Sequence, residues 1–384
     1  MKRKIIIASI GLLMLIVSSA VVYNFFPSAN TLQSINDAGF LDDQAAVVYY
    51  STTMDSKNRK GFVVFIDHQG ETHAMETEGL ELGRLGYSDN SVFFQDETKN
   101  YMFTSQLEEE DRGKVQYTGD YVGKLNSSQS FFSIFNSGMG DDGETYQSDI
   151  YWHHDNELKE DVLPFYIESR GNDDTTIYTV HREDLESKEF TLSQTELSNH
   201  ADTRQIMTWE TINMATPVSN IHVLENNIYY LEESYQEDKT SIQLMELNLE
   251  TKKVTDYSIV DFMSEEEHYE ALPYDTKKSG YLYGNTFYYI DGTGLVYATD
   301  IESGETEESF MIEDTARHGD FVQVDWKDEK LYVYYNNTGD TVDAGLVSYN
   351  VESGEKLDTI EINGLEEIIG MNEALFSYDL LILD

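Results

Sequence analysis

The chain of 384 residues contains no cysteine and only 4 prolines. Without cysteine, the protein has no disulfide, no thiolate metal ligand, no cysteine nucleophile and no residue for lipoprotein attachment. Basic residues are scarce as well, because 25 lysines and arginines face 72 aspartates and glutamates, which gives a formal net charge of −47. Such an acidic protein would repel nucleic acid, and the same argument disfavours a resting contact with anionic lipid headgroups. We therefore expect no nucleic-acid partner.

Hydrophobic residues, in contrast, are abundant. They make up 40% of the chain, and the aromatic residues include 27 tyrosines. This is enough for a packed core, so the composition excludes global disorder despite the charge. A chain of this length is typical of two or three domains, or of one large all-β domain built from repeats.

The N-terminus is the one segment with membrane character. A basic triplet at residues 2–4 precedes an uncharged stretch of 22 residues, 5–26. As a helix this stretch would be ~33 Å long, enough to cross a hydrocarbon core of ~30 Å. Aromatic residues near its end suit the membrane–water interface, and Pro27 stops the helix. We expect residues 1–26 to be a single-pass anchor that leaves the rest of the chain outside the cytoplasm.

A cleaved signal peptide is the alternative. The apolar run 5–17 is followed by small residues up to Ala20, where a signal peptidase could cut and release a secreted protein. The apolar run continues past Ala20 to the interfacial aromatics, and this length favours the uncleaved anchor. Residues 27–36 then form a polar linker, and residues 37–384 form the extracytoplasmic domain.

Strand signals fill this domain. Runs rich in Val, Ile, Tyr and Phe recur between turn residues, for example AAVVYYS (45–51), GFVVFID (61–67), NNIYYLEE (226–233) and KLYVYYN (330–336). No long segment after the anchor has a sustained helical period. The sequence therefore predicts an all-β fold.

The strands belong to a repeat. Asp184, Asn248, Asp300 and Asn350 each end an apolar strand and begin a polar turn, at spacings of 50 to 64 residues. Asp and Asn side chains cap such turns, and glycine supplies positive φ. A four-stranded unit of ~40–50 residues is the size of one β-propeller blade. We expect about seven blades, with a β-sandwich or two stacked β domains as the alternative.

Ring closure and blade packing follow from this architecture. The last strand, within 373–384, should share a blade with an early strand near 37–51, because a closed ring leaves no open sheet edge. Tyrosine doublets such as Tyr229-Tyr230 place one ring on each face of a strand and should pack between neighbouring blades. Three stretches interrupt the repeat, namely 105–146, 195–219 and 262–278, the last with a capping box at Ser264 and Glu267.

The phrases "YYI…VYATDIESGE" and "YVYY…LVSYNVESGE" resemble the YVTN-like and quinoprotein-like superfamily of bacterial β-propellers. The resemblance is clearest over 220–362 and implies the architecture only. The tryptophan-rich blade motif of quinoproteins is absent, since the chain has only Trp152, Trp209 and Trp326. This departure argues against a quinone cofactor. We expect no cofactor, apart from calcium at the site considered next.

Candidate sites are few. The chain has no H-E-x-x-H, no G-x-S-x-G and no Walker loop. Exposed aromatics could stack on a sugar, and the candidates are Trp152, Trp209, Tyr269 and Tyr274. Calcium could bind the oxygens of Asp141, Asp142 and Glu144, although their spacing matches no known calcium loop and a solvated turn is the alternative interpretation.

Two function classes remain open. The first is a membrane-anchored extracytoplasmic propeller that acts as a binding or scaffold module for a cell-envelope protein or polymer. The second is an extracellular propeller hydrolase or lyase that acts on a glycan or peptide. A fold alone does not confer a reaction, and the missing catalytic motifs favour the first class.

Overall fold

The computed structural model describes residues 39–383, except for 89, 141–142, 144, 156, 184–186, 212, 237–238, 313–320, 338–342 and 370–374. The predicted anchor lies outside the described residues. Within the described part of the chain, no helix is long and apolar enough to span a bilayer. The described strands form seven antiparallel sheets, which are the blades of a β-propeller.

The strands of the first half of the chain are short and regularly spaced. They are β1 (Gln44–Ser51), β2 (Gly61–Asp67), β3 (Thr72–Thr77), β4 (Leu85–Ser88), β5 (Ser91–Gln95), β6 (Lys99–Phe103), β7 (Leu107–Asp111), β8 (Gly119–Leu125), β9 (Ser130–Met139), β10 (Tyr146–His154), β11 (Glu157–Leu163), β12 (Ile167–Asn172), β13 (Ile177–His181), β14 (Glu189–Leu197) and β15 (Ala201–Glu210).

The second half adds further strands and two short helices. They are β16 (Met214–Pro217), β17 (His222–Leu224), β18 (Asn227–Tyr235), β19 (Thr240–Asn248), β20 (Val254–Phe262), α1 (Glu265–Glu270), β21 (Gly280–Tyr283), β22 (Thr286–Ile290), β23 (Leu295–Asp300), β24 (Thr306–Met311), β25 (Phe321–Lys327), β26 (Lys330–Asn337), β27 (Asp343–Asn350), β28 (Lys356–Glu361), α2 (Leu365–Ile369) and β29 (Phe376–Ile382). A single 3₁₀ turn, Thr276–Lys278, precedes β21.

Blade 1 closes the ring. Its strand order is β29-β1-β2-β3, so the last strand of the chain pairs with the first. Leu381 lies opposite Val47 in this pairing. Beyond the end of β29, the amide of Leu383 donates to the carbonyl of Ala45 at 3.0 Å. The prediction that the two ends of the domain share one blade is confirmed, as is the prediction of about seven blades.

In the other blades the first strand lies innermost. Blades 2, 3, 4, 6 and 7 are β4–β7, β8–β11, β12–β15, β21–β24 and β25–β28, each in sequence order. Blade 5 is β16–β20, and its innermost position is an interrupted strand because β16 and β17 both pair with β18. Around the axis, β4 contacts β29 and β8, β12 contacts β8 and β17, and β25 contacts β29. These innermost strands form the wall of a central channel.

The hydrophobic cores lie between blades, and the tyrosine doublets connect them. Tyr229 belongs to the core that joins blades 5 and 6, whereas Tyr230 belongs to the core that joins blades 4 and 5. Tyr49 and Tyr50 divide in the same way between the two interfaces of blade 1. This arrangement confirms the prediction from the alternation of side chains along a strand. Each blade is therefore held by aromatic packing on both of its faces.

The repeated turns have the predicted chemistry. The Oδ1 atoms of Asn248, Asp300 and Asn350 accept hydrogen bonds from the backbone amides three residues further on, at 2.7 to 2.9 Å. Gly304 and Gly354 follow in the left-handed region, with φ of 74° and 68°. The fourth predicted turn residue, Asp184, lies outside the described residues.

Two of the three predicted interruptions of the repeat need correction. Residues 105–146 contain the regular strands β7, β8 and β9, and the acidic run 108–111 lies in β7, the outermost strand of blade 2. Its solvent-facing position accepts carboxylates, which hide the strand pattern from a sequence analysis. Residues 201–210 likewise form the outermost strand of blade 4. The third stretch, 262–278, lies outside the sheets after Phe262, and there Ser264 caps α1 as predicted.

Candidate ligand-binding site in the central channel

Eight charged side chains meet at the wall of the central channel, in a chain that has few basic residues to place. They come from β8, β12, β25 and β29, from the residue before β4 and from the segment before β21. The basic members are Arg84, Arg170, Lys277 and Lys278, and the acidic members are Asp120, Asp275, Asp325 and Asp379. We call this set the axial cluster.

Asp379 connects the closing strand to its neighbours. It lies on β29, its residue is 1% exposed, and its Oδ1 forms an ion pair with Lys278 Nζ at 2.8 Å. Arg84 Nη1 lies 3.9 Å from the same oxygen, and the amide of Leu85 donates to Oδ2 at 2.8 Å. One carboxylate therefore ties β29 to the start of blade 2 and to the turn before blade 6.

The two basic residues that contact Asp379 each also pair with a second carboxylate. Arg84 donates to Asp275 Oδ2 at 2.7 Å and to the carbonyl of Tyr378 at 3.0 Å. Burial acts to raise the pKa of Asp275, but Arg84 outweighs it and holds the pKa below its ordinary value. Lys278 lies 3.2 Å from Asp325, whose other oxygen accepts from the amide of Ile382 at 2.9 Å. Burial raises the pKa of Asp325, and Lys278 opposes the rise.

Arg170 is the member of the axial cluster with unused hydrogen-bonding capacity. Its residue is 1% exposed, and its Nη2 contacts the carboxylate of Asp120 at 2.7 Å and the carbonyl of the same residue at 2.5 Å. Its Nε and Nη1 atoms, and Asp120 Oδ2, are buried without a partner among the described residues. Burial lowers the pKa of Arg170, Asp120 opposes the shift and Arg84 adds to it.

Lys277 lies beside this pair. Its Nζ donates to the carbonyl of Glu168 at 2.8 Å, and its side chain is half-buried. Burial and the nearby Arg170 guanidinium lower the pKa of Lys277 to about 7. Lys277 therefore exchanges between its ammonium and neutral amine forms near pH 7, in contrast to Lys278, whose pKa rises because Asp325 and Asp379 outweigh its burial.

A cavity of about 370 Å³ lies at the carboxyl-terminal ends of five innermost strands, β4, β8, β12, β25 and β29. We call this cavity the mouth. Lys124 and Lys327 lie on its rim, and Lys327 Nζ lies 5.5 Å from the ring centre of Tyr87. Asp325 also lines the cavity, so the mouth reaches the axial cluster.

A groove of about 630 Å³ runs outward from the mouth between blades 2 and 3. Lys124 and Phe131 line both spaces, so the groove adjoins the mouth. Hydroxyl and amide groups dominate the rest of the groove wall, from Ser88, Ser91, Thr104, Ser128, Gln129 and Ser130. At its floor, Phe131 stacks on Phe93 at 5.2 Å between ring centres. We call the mouth and the groove together the cleft.

The two candidate tryptophans lie in blade interfaces. Trp152 is 2% exposed, packs between blades 3 and 4, and donates its indole N–H to the carbonyl of Ser198 at 2.9 Å. Such a buried ring cannot stack on a sugar from solvent. Trp209 stacks on Phe190 at 5.8 Å and packs against the core between blades 4 and 5. Strand residues with large rings fill these interfaces, which explains both positions.

The candidate tyrosines are exposed but separate from the cleft. Tyr269 lies on α1 with 78% of its surface exposed, and Tyr274 is 43% exposed. Burial of its hydroxyl raises the pKa of Tyr274 to about 12, and the nearby Ser377, close to the start of β29, opposes the rise. Tyr274 therefore lies at the end of the channel opposite the mouth, because the mouth is lined by the end of β29.

The calcium candidates Asp141, Asp142 and Glu144 lie outside the described residues. Among the residues that the structure does describe, no group of three or more His, Asp or Glu side chains is placed to hold a metal ion. The axial cluster was missed by sequence reasoning. The adjacent residues Lys277 and Lys278 could have indicated the cluster, because basic residues are scarce in this chain. The adjacent residues Lys252 and Lys253 have the same sequence pattern, however, and they lie on an exposed turn.

Comparison with known proteins relates this propeller to a described family. A family model described as "YycP, beta-propeller domain" matches residues 39–383. The uncharacterised protein YycP of Bacillus subtilis (strain 168) is 27% identical over 359 residues, which are 91% of this chain and 91% of that protein.

Solved structures share the fold at low identity. A hypothetical selenium-binding protein from Sulfolobus tokodaii is 11% identical, with a TM-score of 0.54, over 88% of this chain and 93% of that one. Apo AztD from Citrobacter koseri is 10% identical, with a TM-score of 0.46, over 88% and 97% of the two chains. At such identities the likeness concerns the fold alone.

The axial cluster predicts a large effect of one neutralising substitution. Asp379→Asn leaves Lys278 and Arg84 with less opposite charge in a buried setting, so we expect the free energy of unfolding to fall by about 3–5 kcal/mol. Asp358→Asn is the matched control, because Asp358 is exposed on β28, and it should change stability by less than about 0.5 kcal/mol. Denaturant titration of both variants measures the difference. Equal stabilities would contradict the role of Asp379.

Proposed function

This chain belongs to the YycP β-propeller family, and we propose that it is an extracytoplasmic binding module for a polymer of the cell envelope, anchored in the membrane by residues 1–26. The observation that carries the binding role is the cleft, which joins the channel mouth to the groove between blades 2 and 3. Two adjoining concave spaces of this kind suit an elongated ligand.

The chemistry of the cleft favours an uncharged, hydroxyl-bearing polymer such as a glycan strand. Hydroxyl and amide side chains along the groove can donate and accept hydrogen bonds, while Phe131 and Met102 offer apolar contact. The net charge of −47 opposes a strongly anionic polymer over most of the surface. Lys124 and Lys327 are local exceptions at the mouth, where they could bind an isolated anionic substituent.

The anchor fits the orientation of the propeller. The ends of the innermost strands line the mouth, and β1 starts beside the end of β29 on the same face. Gly39, the first described residue, precedes β1 on this face, which carries the cleft. An anchored protein would hold this face within reach of a polymer that lies close to the membrane.

An extracellular hydrolase or lyase is the second candidate. The observation in its favour is the convergence of arginines and carboxylates with shifted pKa values in the channel, which is typical of active sites. Against it, each carboxylate of the axial cluster already has a basic partner. Burial raises the pKa of Glu232 to about 7, but this residue is 2% exposed within blade 5, away from the cleft. Binding is therefore the function we prefer. The finer likeness to YVTN-like and quinoprotein-like propellers remains a prediction.

The anchor is tested by adding charge to the apolar stretch. Leu12→Arg together with Leu13→Arg should move the full chain from the membrane fraction to the soluble fraction, because each arginine costs about 2.5–3.5 kcal/mol at a helix centre. Ser28→Arg, in the linker, should leave the protein in membranes. Fractionation and the intact mass of the wild-type protein give the answer. A mature N-terminus near Val21 in the culture medium would show a cleaved signal peptide instead.

The binding role is tested by blocking the groove. Ser128 is exposed at its wall, and Ser128→Trp should lower co-sedimentation of the detergent-solubilised full chain with purified peptidoglycan at least tenfold. Ser303→Trp, on an exposed turn of blade 6, is the matched control and should bind as the wild type does. Wild-type protein that stays in the supernatant would refute a peptidoglycan strand as ligand. Equal binding by both variants would refute the cleft as the site.

A further inference from the structure

We propose that Arg170, Lys277 and Asp120 form a second binding site, inside the central channel, for a small hydroxycarboxylate. The site is distinct from the cleft and does not depend on the proposed polymer. It uses residues of three blades or their connections, namely β8, β12 and the turn before β21. Three observations support it. Each concerns a polar or charged group whose hydrogen-bonding or charge-pairing capacity is not fully used by the described residues.

The first observation is the guanidinium of Arg170. Only Nη2 is used, by Asp120, while Nε and Nη1 are buried without a partner among the described residues. A buried donor without an acceptor carries the full penalty of its lost hydration. A ligand oxygen would remove that penalty. A carboxylate is the natural acceptor for arginine, since charge-assisted hydrogen bonds are the stronger kind.

The second observation is the ammonium of Lys277. Its one hydrogen-bond acceptor in the described chain is the carbonyl of Glu168, at 2.8 Å. The charged groups that act on it are Arg170 and Arg84, which disfavour its charge, and Asp120, Asp275 and Glu168, which favour it. A bound carboxylate would add a negative charge and shift this balance toward the protonated form. Lys277 is half-buried as a residue, whereas Arg170 is 1% exposed, so a ligand would reach the Arg170 guanidinium by way of Lys277.

The third observation is Asp120. Its Oδ1 pairs with Arg170 at 2.7 Å, but its Oδ2 has no partner among the described residues. Asp120 Oδ2 can accept a hydrogen bond, and the nearby Arg170 Nε and Nη1 can donate hydrogen bonds. A ligand that satisfies all of these atoms must carry both an acceptor and a donor. A carboxylate with a neighbouring hydroxyl has this pattern, because the carboxylate faces Arg170 and Lys277 while the hydroxyl donates to Asp120.

A lysine with a pKa near 7 couples binding to protonation. The ligand needs the ammonium form of Lys277, whose pKa in the free protein is lowered to about 7. Above that pH the free protein must take up a proton in order to bind, so the apparent affinity should fall by up to tenfold per pH unit. Below pH 7 the ammonium is already present and the affinity should level off.

The test is calorimetric titration of the full chain with glycolate, acetate or chloride at one ionic strength, from pH 6 to 9. We expect saturable binding of glycolate, weaker binding of acetate, none of chloride, and the decline above pH 7. Lys277→Met should weaken glycolate binding at least tenfold and abolish its pH dependence. Lys356→Met, at an exposed position of β28, is the matched control and should leave both unchanged.

The paired variant Arg170→Met with Asp120→Asn removes the remaining groups without leaving a lone buried charge, and it should also abolish binding. If Lys277→Met does not fold, the wild-type pH profile and the paired variant still decide the question. Binding of glycolate no different from chloride would show that water alone occupies the spare donors, and would overturn the proposal. Equal affinities for glycolate and acetate would overturn the role of Asp120.

Discussion

The pairing of β29 with β1 is the interaction on which the rest of the structure depends. A propeller is closed only when its last strand completes the first blade, because an open ring would leave two unpaired sheet edges. Backbone pairing aligns β29, and Asp379 then fastens it to blade 2 and to the turn before blade 6. The wall of the channel and the mouth exist because this strand is in place.

The same strand explains why scarce basic residues gather at the axis. Carboxylates on innermost strands converge as the ring closes, and in a chain of net charge −47 their mutual repulsion would oppose closure. Arg84 and Lys278 supply the opposite charge where the convergence is closest. Arg170 and Lys277 go beyond this need, since they keep hydrogen-bonding capacity that no described residue uses fully. Closure and ligand binding therefore draw on one cluster but on different members of it.

Local patterns made the fold predictable. Asn248, Asp300 and Asn350 mark the same turn in three blades, and the tyrosine doublets mark strands that are packed on both faces. The outermost strand β7 escaped the sequence analysis because its run of carboxylates faces solvent and lacks the apolar alternation of inner strands. The alternation of apolar and polar residues in a strand reflects the burial of one of its faces, and an edge strand has little buried surface.

The site was much less predictable. The axial cluster joins residues as far apart as Arg84, Asp275 and Asp379, and no local pattern encodes a contact between them. The burial of Trp152 was unpredictable for a related reason. From the sequence, Trp152 is a candidate to stack on a sugar. In the structure, the alternation of side chains along its strand places it in the interface between blades. Whether a ring is exposed or buried depends on the neighbouring blade, which a single strand does not reveal.

Native-state hydrogen exchange of the full chain tests the central claim, that the closing strand is an integral part of the fold. The amides of β29 should exchange as slowly as those of β1 and β2, and only through global unfolding, because opening this strand opens the ring. Much faster exchange in β29, with β1 and β2 still protected, would show that the propeller persists without its closing strand and would contradict the account.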